Sequence, residues 1–473
     1  MTGFCRLVPH LVILGIFSFL LWTGGAAADE RHDDPFDPHA SDREPPFEGP
    51  SWTASEGVAA GQVFPSDGID LMAWFPANQF NATFTSGSTV HGYISPSGRK
   101  YALIGLSGGT GIVEVTNPAA AAIVTTISGP TSTWRDVKTY QNYAYVVNEN
   151  TGGIQVLNLA QIDSGIVTVV GNVTTGGSQR THTHEINVAS GYLYRCGGGS
   201  TLGLRMYSLA NPAAPAYIGL TASTRYIHEC HVVTYTSGVY AGREIGFLCS
   251  NNTSSGGSPG LTILDLTNKS NIVTLTANYQ YPSGSFSHQC WVTEDRRYVY
   301  LNDELDGNPA TRIINVQNLS APVQVGTFTN GLAATDHNLY TRGTLIFESN
   351  YRSGLRVFDA TNPLAPVERA WFDTYPTSNS SNFNGLWDNY PYLGGGIVLG
   401  SDIERGLFVW CVGRLGDMND DLLVNAADVP AFVQALLTGL FTASQCTGPD
   451  VSRDGRVDGS DIPGFVAAVM AGP

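Results

Sequence analysis

Positive charge is scarce in this chain. Lys and Arg number 24 against 40 Asp and Glu, which gives a net charge of −16, and no segment clusters the basic residues. Binding to a nucleic-acid backbone depends on Lys and Arg side chains that neutralise phosphates. The sequence therefore gives a nucleic-acid partner no electrostatic basis.

Long hydrophobic runs are missing after the N-terminus. The run from Leu11 to Trp22 precedes the small residues Ala26-Ala27-Ala28, which predicts a cleavable secretory signal over residues 1–28. Nothing later approaches the roughly 18 apolar residues that a transmembrane segment needs. We expect an exported protein that is extracellular, at the cell surface or periplasmic after cleavage.

Catalytic signatures and helical periodicity are also lacking. No HExxH, GxSxG or P-loop pattern occurs, and no Ser or Cys lies in a motif that marks a nucleophile. Helix-period patterning is scarce before residue 425, whereas the chain holds 54 Gly, 21 Tyr and 20 Phe. This composition favours a large all-β body with glycine-rich turns. Residues 29–66 are rich in Asp, Glu, Pro and Ser and are expected to form a flexible leader.

A repeated unit organises the rest of the chain. Its seven degenerate copies are GIVEVTNPAA from Gly111, GIQVLNLAQI from Gly153, GLRMYSLANPAAP from Gly203, GLTILDLTNKS from Gly260, TRIINVQNLSAP from Thr311, GLRVFDATNPLAPV from Gly354 and GLFVWCVG from Gly406. Each copy alternates apolar and polar residues and then turns, which predicts a strand with one buried face. A period of roughly 42–57 residues fits one four-stranded blade. We therefore predict a seven-bladed β-propeller over residues 67–413.

The last copy lacks a fourth strand, because its third strand ends at Cys411–Gly413. Residues 69–80, IDLMAWFPANQF, are similar to the fourth strands VERAWFDTYP and TLTANYQYP. We predict that this N-terminal segment closes the ring, which would remove two free sheet edges.

One polar residue recurs at the start of the first strand of each repeat. The seven are His91, Asp136, His184, His228, His288, His337 and Asn384, and Glu185 and Glu229 follow two of the histidines. Loops between second and third strands reach the same face; they bring the further acidic candidates Glu149, Asp303, Glu304, Glu348 and Asp402. Histidine and carboxylate on one rim suit a divalent metal ion or acid–base chemistry. The alternative is that these histidines bond backbone and water in a narrow polar channel.

Cysteines are few. Once Cys5 leaves with the signal, six remain in an exported chain, which favours disulfides. If Cys230 paired with Cys249, Cys196 and Cys290 would be left unpaired about two blades apart. That separation exceeds the roughly 7 Å between Cα atoms that a disulfide can span. We predict the inter-blade bonds Cys196–Cys230 and Cys249–Cys290, and a third bond, Cys411–Cys446, across the C-terminal junction. Four buried free thiols are the alternative for the first two pairs.

The repeats resemble LVIVD repeats. The segments SHQCWVTEDRRYVYLNDELDG, DHNLY, NYRSGLRVFD, FDTYP, NFNGLWDNYP and SDIERGLFV resemble the exported choice-of-anchor B family, over about residues 60–412. The resemblance implies a propeller that an interchangeable C-terminal module anchors, and it implies no particular activity.

Residues 414–473 resemble a dockerin type I module, a small all-α domain of paired EF-hand-like loops and helices. Two 12-residue loops supply oxygen ligands at positions 1, 3, 5, 9 and 12 and a carbonyl at position 7, as Ca²⁺ requires. The first offers Asp417, Asn419, Asp421, Asn425 and Asp428 with the carbonyl of Leu423; the second offers Asp450, Ser452, Asp454, Asp458 and Asp461 with the carbonyl of Arg456. The helices Val429–Leu437 and Ile462–Met470 should follow. Leu422 departs from the pattern at position 6, where Gly normally permits the turn.

Two functions follow from these patterns. The first is an exported binding or scaffold protein, tethered through a calcium-loaded dockerin to a cohesin-like or cell-surface partner, with an unidentified ligand, carbohydrate among the candidates, at the propeller rim. The second is a metal-assisted hydrolase or lyase that acts on extracellular polysaccharide, with the rim as its active site. We favour the non-enzymatic function, because no catalytic motif is present.

Overall fold

The computed structural model describes residue 42 and residues 44–56, 64–198, 202–252, 258–305, 307–439, 446–452 and 456–471. Seven antiparallel sheets of four or five strands occupy most of these residues, and two short helices follow. The predicted all-β, seven-bladed propeller with a small helical C-terminal module is therefore confirmed. The predicted signal, residues 1–28, lies outside the described residues.

Each sheet is a blade, and the blades are numbered 1 to 7 by their innermost strands. The innermost strands are Gly87–Ile94, Arg135–Tyr140, Thr183–Asn187, Tyr226–Thr234, Ser287–Val292, Asn338–Arg342 and Leu386–Tyr390. Each contacts the innermost strands of both neighbouring blades, and blade 7 contacts blade 1. The blades therefore form a closed ring around a central channel.

The remaining strands follow outward in chain order. The second strands are Lys100–Leu106, Tyr143–Asn148, Tyr192–Cys196, Glu244–Asn251, Tyr298–Asp303, Leu345–Ser349 and Ile397–Asp402. The third strands are Gly109–Glu114, Ile154–Gln161, Arg205–Ser208, Gly260–Asp265, Thr311–Asn315, Leu355–Asp359 and Gly406–Val412. The outermost strands are Ala122–Ser128, Ile166–Val173, Ala216–Leu220, Val273–Tyr279, Val323–Phe328, Val367–Phe372 and Ile69–Phe75. Short 3-10 turns span Ala54–Glu56, Ala77–Gln79, Pro118–Ala120 and Ile162–Ser164.

The core lies between the blades. In blade 1 every residue of the second strand except Lys100 is buried, whereas most of the outermost strand of blade 2, Ile166–Val173, is exposed. A middle strand is covered on both faces by the adjacent blades, so it reads as a nearly continuous apolar run. The inner strands are consequently held by packing on both sides, which fixes the side chains that reach the channel.

The N-terminal segment closes the ring, as the sequence predicts. Ile69–Phe75 pairs antiparallel with Gly406–Val412, from Ile69 opposite Val412 to Phe75 opposite Leu407. The strand ends earlier than the predicted residue 80, because Pro76 lacks a backbone donor and a 3-10 turn follows it. Trp74 anchors the closure through its Nε1, which donates to the Arg405 carbonyl at 2.7 Å.

Part of the predicted flexible leader is ordered. Trp52–Thr53 adds a fifth strand to blade 7, opposite Trp74 and Ala73, and Ser66–Asp67 adds one to blade 6. The Phe47 backbone N–H donates to the Glu404 carbonyl at 2.9 Å. The acidic composition of residues 29–66 masked these aromatic contacts, so the expectation of flexibility is wrong for 44–56.

Two helices complete the described chain. Helix α1, Val429–Thr438, and helix α2, Ile462–Ala471, pack through stacked Phe432 and Phe465 rings 3.7 Å apart. Each runs one residue beyond its predicted end. Neither these helices nor any other described helix has the length and apolar content needed to cross a membrane.

The predicted cysteine partners are neighbours in the structure, but only one of the three predicted disulfides is formed. Cys411 and Cys446 form a disulfide with Cα atoms 4.8 Å apart. Cys196, Cys230, Cys249 and Cys290 are buried thiols, so the two inter-blade bonds are not formed in this structure. The Sγ atoms of Cys196 and Cys230 lie 3.3 Å apart, longer than a covalent bond of about 2.05 Å. Each of these thiols nevertheless has its predicted neighbour, since Cys249 hydrogen-bonds Cys290.

Oxidation of these neighbouring thiols should give two defined bonds. We expect non-reducing peptide mapping of secreted protein to recover Cys196–Cys230 and Cys249–Cys290, because each pair needs only a small side-chain movement. Each bond should add about 2–4 kcal/mol to the free energy of unfolding. A Cys230–Cys249 peptide would contradict the assignment of these residues to neighbouring blades.

Candidate functional site

Six aromatic rings line one mouth of the channel and are called the channel arc. They belong, in order of contact, to Trp134, Trp387, His337, His288, His228 and His182. Neighbouring ring centroids lie 4.0, 4.3, 4.2, 4.4 and 4.2 Å apart along this order. Blades 2 to 7 each contribute one ring, at or just before the start of the innermost strand. The arc therefore collects four histidines from four consecutive blades.

The arc corrects the ring of residues predicted from the repeats. Of the seven predicted positions, only His228, His288 and His337 belong to it. His182 takes the position expected for His184, and Trp134 that expected for Asp136. Residues two apart point to the same side of a strand, so the sequence pattern could not separate them.

Three of the arc residues lie at β-bulges. The innermost strands of blades 4, 5 and 7 shift register at His228, His288 and Trp387, and blade 1 shifts between Gly87 and Val90. Blades 2, 3 and 6 have no such shift there. A bulge adds one residue and re-aims a side chain. In blade 7 the bulged residue is Trp387, which lies in the arc three residues after the predicted Asn384.

Two overlapping groups of metal-ligating side chains lie on the histidine half of the arc. His288, Glu304 and His337 form one group, and His228, Glu229 and His288 form the other; within each group the ligand atoms lie within 4.8 Å of one another. Nε2 of His288 is 3.7 Å from Oε2 of Glu304, and Nε2 of His337 is 3.7 Å from Oε1. All residues of the first group are at most 5% exposed.

Hydrogen bonds fix the tautomers of three arc histidines. Nδ1 of His337 donates to the Trp387 carbonyl at 2.7 Å, and Nδ1 of His228 donates to the His288 carbonyl at 3.0 Å. Nδ1 of His182 lies 2.5 Å from Oε1 of Glu149. Carbonyl and carboxylate oxygens accept these bonds, so Nδ1 carries a proton, and in a neutral ring Nε2 is then the atom with the free lone pair. Burial lowers the pKa of His288 well below its usual range, which keeps this ring neutral.

Tyr351 supports Glu304 from a strained position. Its hydroxyl donates to Oε1 of Glu304 at 2.5 Å, and its ring lies 4.4 Å from that of His337. The residue is fully buried at a φ of 41°, a conformation that bulky side chains rarely adopt. Reciprocal backbone hydrogen bonds of 3.1 and 3.0 Å with Leu386 hold it there. Strain of this kind concentrates at functional sites.

A second layer of ionisable residues lies deeper in the channel. Asp136 accepts from Lys138 Nζ at 2.9 Å and lies 2.8 Å from Nδ1 of His184. Burial raises the pKa of Glu185 and Glu229 to about 8. The sequence reading missed the lysine, which sits two residues after Asp136 on the same strand.

Asp388 and Tyr340 complete this layer. The Asp388 carboxylate accepts from the Tyr340 hydroxyl at 2.8 Å and from the Val90 backbone N–H at 3.1 Å. Burial raises the pKa of Asp388 to about 7. Burial thus raises the pKa of Glu185, Glu229 and Asp388, because the channel withholds solvent. Burial opposes ionisation of Asp136 as well, but Lys138 and His184 hold its pKa well below the usual range.

Several predicted rim candidates have structural partners instead. Asp303 accepts from the backbone of Ser285 and Phe286, both at 2.9 Å, and Glu348 accepts from Asn350 Nδ2 at 2.9 Å. Asp402 accepts from two backbone N–H groups of its own turn, and Asn384 donates to Glu404 at 2.9 Å. His91 packs against Tyr390, with ring centroids 4.5 Å apart. The structure therefore does not bring these five residues into the metal-ligating groups.

The two C-terminal loops fit calcium. Asp417 and Asp428 of the first loop are almost fully buried, as is Asp461 of the second. Asp428 accepts from Met418 and Asn425 backbone N–H groups at 2.7 and 2.8 Å, and Asp461 bonds Ser452 and Asp458 in the same manner, both at 2.9 Å. In both loops the aspartate at position 12, Asp428 or Asp461, therefore accepts hydrogen bonds from the backbone at loop positions 2 or 3 and 9. Asp454 lies outside the described residues.

Charge in the first loop calls for a cation. Burial raises the pKa of Asp417 to about 7, and the carboxylates of Asp420 and Asp421 add to the rise. Like charges within one small loop oppose its compact form, and a divalent ion relieves them. The donor set consists of oxygen atoms alone, as Ca²⁺ prefers.

The first loop also docks on the propeller. Oδ2 of Asp420 accepts from the Gly395 N–H at 2.9 Å, and the Asp420 carbonyl accepts from Arg342 Nη2 at 3.3 Å. Leu422 packs against the core of blades 6 and 7 at a φ of 70°. The departure from Gly at position 6 thus has a structural role, since the leucine side chain joins the loop to the propeller.

This docking sets the two sites on opposite faces. Arg342 ends the innermost strand of blade 6, and Gly395 lies between the first two strands of blade 7. The channel arc lies where the innermost strands begin. The first calcium loop therefore contacts one face of the ring, and the histidines line the mouth at the other.

The helices leave matching apolar stripes uncovered. Helix α1 exposes Val429, Val433 and Leu437, and helix α2 exposes Ile462, Val466 and Met470 at the equivalent positions. Leu437 and Met470 are 78% and 80% exposed. Exposed apolar side chains that recur in both copies of a duplicated module mark a surface for a protein partner.

The fold and these loops define a seven-bladed β-propeller with a C-terminal calcium-binding module. The dockerin type I domain family matches residues 415–463, so this module is a dockerin type I domain. Such domains bind calcium and cohesins. The resemblance of the repeats to LVIVD and choice-of-anchor B proteins stays a prediction.

No curated protein sequence matches the chain. Solved structures with a similar fold include the periplasmic gluconolactonase of Pseudomonas aeruginosa, at 14% identity and a TM-score of 0.48, covering 67% of this chain and 88% of that one. The hydrazine synthase of Kuenenia stuttgartiensis has 10% identity and a TM-score of 0.47, with coverage of 67% and 94%. A functionally unknown protein from Desulfotomaculum acetoxidans has 13% identity and a TM-score of 0.45, with coverage of 63% and 87%. At these values the similarity carries no functional argument.

Proposed function

We propose that the protein is an exported propeller scaffold that its dockerin tethers to a cohesin-like partner, leaving the channel mouth free to bind a ligand. The observation that carries this proposal is the docking of the first calcium loop on the face opposite the channel arc. A tether on one face and a recognition site on the other let both be occupied at once. The dockerin type I domain supports an extracellular location.

The proposal includes the division of the chain. Residues 1–28 serve as the signal, 29–66 as the leader, 67–413 as the propeller and 414–473 as the dockerin. The Cys411–Cys446 disulfide supports export, because disulfides form and persist in oxidising compartments. It also links the last propeller strand directly to the dockerin.

The two loops bind one Ca²⁺ each through the ligands predicted from the sequence. The exposed stripes of the two helices then contact the partner, with Leu437 and Met470 as the most exposed members. The channel mouth binds a divalent metal ion and, through it, a ligand, for which carbohydrate is one candidate.

The alternative function is a metal-assisted hydrolase or lyase that acts on extracellular polysaccharide. The specific observation in its favour is the pairing of two histidines with one glutamate, His288, His337 and Glu304, which is a ligand set of catalytic zinc sites. The burial of the arc favours binding, since a polymer has to reach the metal to react.

A cohesin-binding assay tests the tether. The calcium-loaded full chain should bind a type I cohesin, and the double variant Leu437→Asp with Met470→Asp should bind at least about 30-fold more weakly, because loss of apolar anchors costs about 2 kcal/mol or more. Ile218→Asp, on an exposed propeller strand, is the matched control and should bind as the wild type does. Equal binding by the double variant, or no binding of any cohesin in a broad panel, would contradict the proposal.

A further inference from the structure

We propose that His288, Glu304 and His337 bind one divalent transition-metal ion of the zinc class in the channel of the propeller. This inference deepens the proposed function and rests on it for the ligand-binding role of the mouth. It is independent of the calcium loops, which lie on the other face.

The distances suit one ion. A tetrahedral metal with bonds of about 2.1 Å requires its ligand atoms to lie about 3.4 Å apart. Both histidine Nε2 atoms lie 3.7 Å from an oxygen of the same Glu304 carboxylate. The two contacts use different oxygens of that carboxylate, and all three ligand atoms lie within 4.8 Å of one another. Side-chain adjustments of about 1 Å would therefore bring the three ligands to one metal.

The surroundings orient these ligands as metal sites require. The Trp387 carbonyl accepts from Nδ1 of His337, and the Tyr351 hydroxyl donates to Glu304. Such outer hydrogen bonds fix ring orientation and leave Nε2 as the donor atom. Tyr351 is therefore a positioning residue.

A separate observation points to a bound polar species. His288 is only 2% exposed, and its Nδ1 has no hydrogen-bond partner within the described ranges. A buried polar atom without a partner costs about 1–3 kcal/mol, so native structures rarely keep one. His288 is a member of both groups: it shares one with Glu304 and His337 and the other with His228 and Glu229. A metal on Nε2 and water or a second ligand at Nδ1 would satisfy both nitrogens.

The donor set selects the type of metal. Two imidazoles and one carboxylate suit zinc and its first-row neighbours, whereas Ca²⁺ requires six to eight oxygen ligands. Three protein ligands leave at least one coordination position open. That position remains for water or a small ligand. The channel and the dockerin loops should consequently load with different metals from the same medium.

Cobalt provides a direct probe. The full chain, stripped of metal and then saturated with calcium, should bind one equivalent of Co²⁺, with the visible absorption of a four- or five-coordinate ion. Zn²⁺ should displace the cobalt and abolish the absorption. The thermal transition of the propeller should rise on adding either ion, because the ion binds only the folded protein.

Variants assign the ligands. Glu304→Gln, which keeps the shape of the side chain, and His337→Ala should each weaken Co²⁺ binding by at least about 100-fold; Tyr351→Phe should weaken it about 10-fold or more and shift the spectrum. The matched controls are His231→Ala and Glu404→Gln, a buried histidine and a buried carboxylate outside both groups. Both controls should bind one equivalent. A thermal unfolding curve for each variant establishes that it is folded.

Wild-type protein that binds no Co²⁺ and shows no thermal shift with either ion would overturn the proposal, and this result needs no variant. Binding that Glu304→Gln and His337→Ala leave unchanged would also overturn it. Cohesin binding separates failure of the metal site from failure of the dockerin tether. A chain that binds cohesin without Co²⁺ refutes the metal site alone, and one that binds Co²⁺ without any cohesin refutes the tether alone.

Discussion

Deletion of residues 64–80 should make the secreted protein aggregate. The deletion removes the outermost strand of blade 7, Ile69–Phe75, and the short strand Ser66–Asp67 of blade 6. Both exposed edges would then be free to pair with another chain. Light scattering after size-exclusion chromatography measures the outcome directly.

The deletion also removes buried side chains that stabilise the fold. Ile69, Trp74 and Phe75 are each 3% exposed, and full burial of such side chains contributes roughly 1.5–3 kcal/mol apiece. Their sum is of the same order as the 5–15 kcal/mol that stabilises a typical folded domain. Removal also uncovers Phe408 and Trp410, which are fully buried in the intact ring.

Deletion of residues 44–56 is the matched control. This segment forms strand pairs only through Trp52 and Thr53, so its loss uncovers two residues of Ile69–Phe75 and keeps the four strands that complete blade 7. The control should therefore remain monomeric. A monomeric, cooperatively unfolding product from the longer deletion would refute the role of Ile69–Phe75 in closure.

The repeats carried enough information to predict the architecture. Alternation of apolar residues followed by a turn marked the third strands, and the missing fourth strand of the last copy pointed to residues 69–80, of which Ile69–Phe75 form the strand. These signals succeed because each blade repeats the same burial pattern. The ordered contacts of Phe47 and Trp52 carried no periodic signal and were missed.

The channel was harder to predict, because its residues are set by register. The sequence pattern places His182 and His184 on the same side of the chain, two residues apart. The structure shows that His182 belongs to the arc, whereas His184 contacts Asp136. Tyr351 was hidden for a different reason. Its position depends on a positive φ and on a bridge to Leu386 in the next blade, neither of which leaves a mark in the sequence.

The dockerin module was predictable because all members of each loop motif are local in sequence, and the individual calcium ligands stay a prediction. Leu422 was visible as a departure from the pattern, but its reason was not. Its side chain packs against a hydrophobic cluster of the propeller whose members include Leu345 and Leu355, which are far from Leu422 in sequence. Local motifs therefore give ligand identity, and tertiary packing gives the exceptions.

Removal of calcium should unfold the dockerin and leave the propeller intact. Hydrogen exchange of the full chain should lose protection in helices α1 and α2 on addition of a calcium chelator, with no change in the innermost propeller strands. Seven aspartates in the two ligand sets repel one another without the ion. Helices of ten residues are too short to persist alone in water, so the binding energy of calcium is needed to keep them folded.

The two halves of the dockerin should respond unequally. The first loop keeps its contacts with Gly395, Arg342 and the core of blades 6 and 7, all of which are independent of calcium. Helix α2 should therefore lose protection at a lower chelator concentration than the first loop. Asp450→Ala should reproduce this loss for α2 in the presence of calcium, whereas Asp295→Ala, an exposed acidic residue of blade 5, should not. Persistent protection of both helices in excess chelator would refute calcium-dependent folding, because the packing of Phe432 on Phe465 would then suffice without the ion.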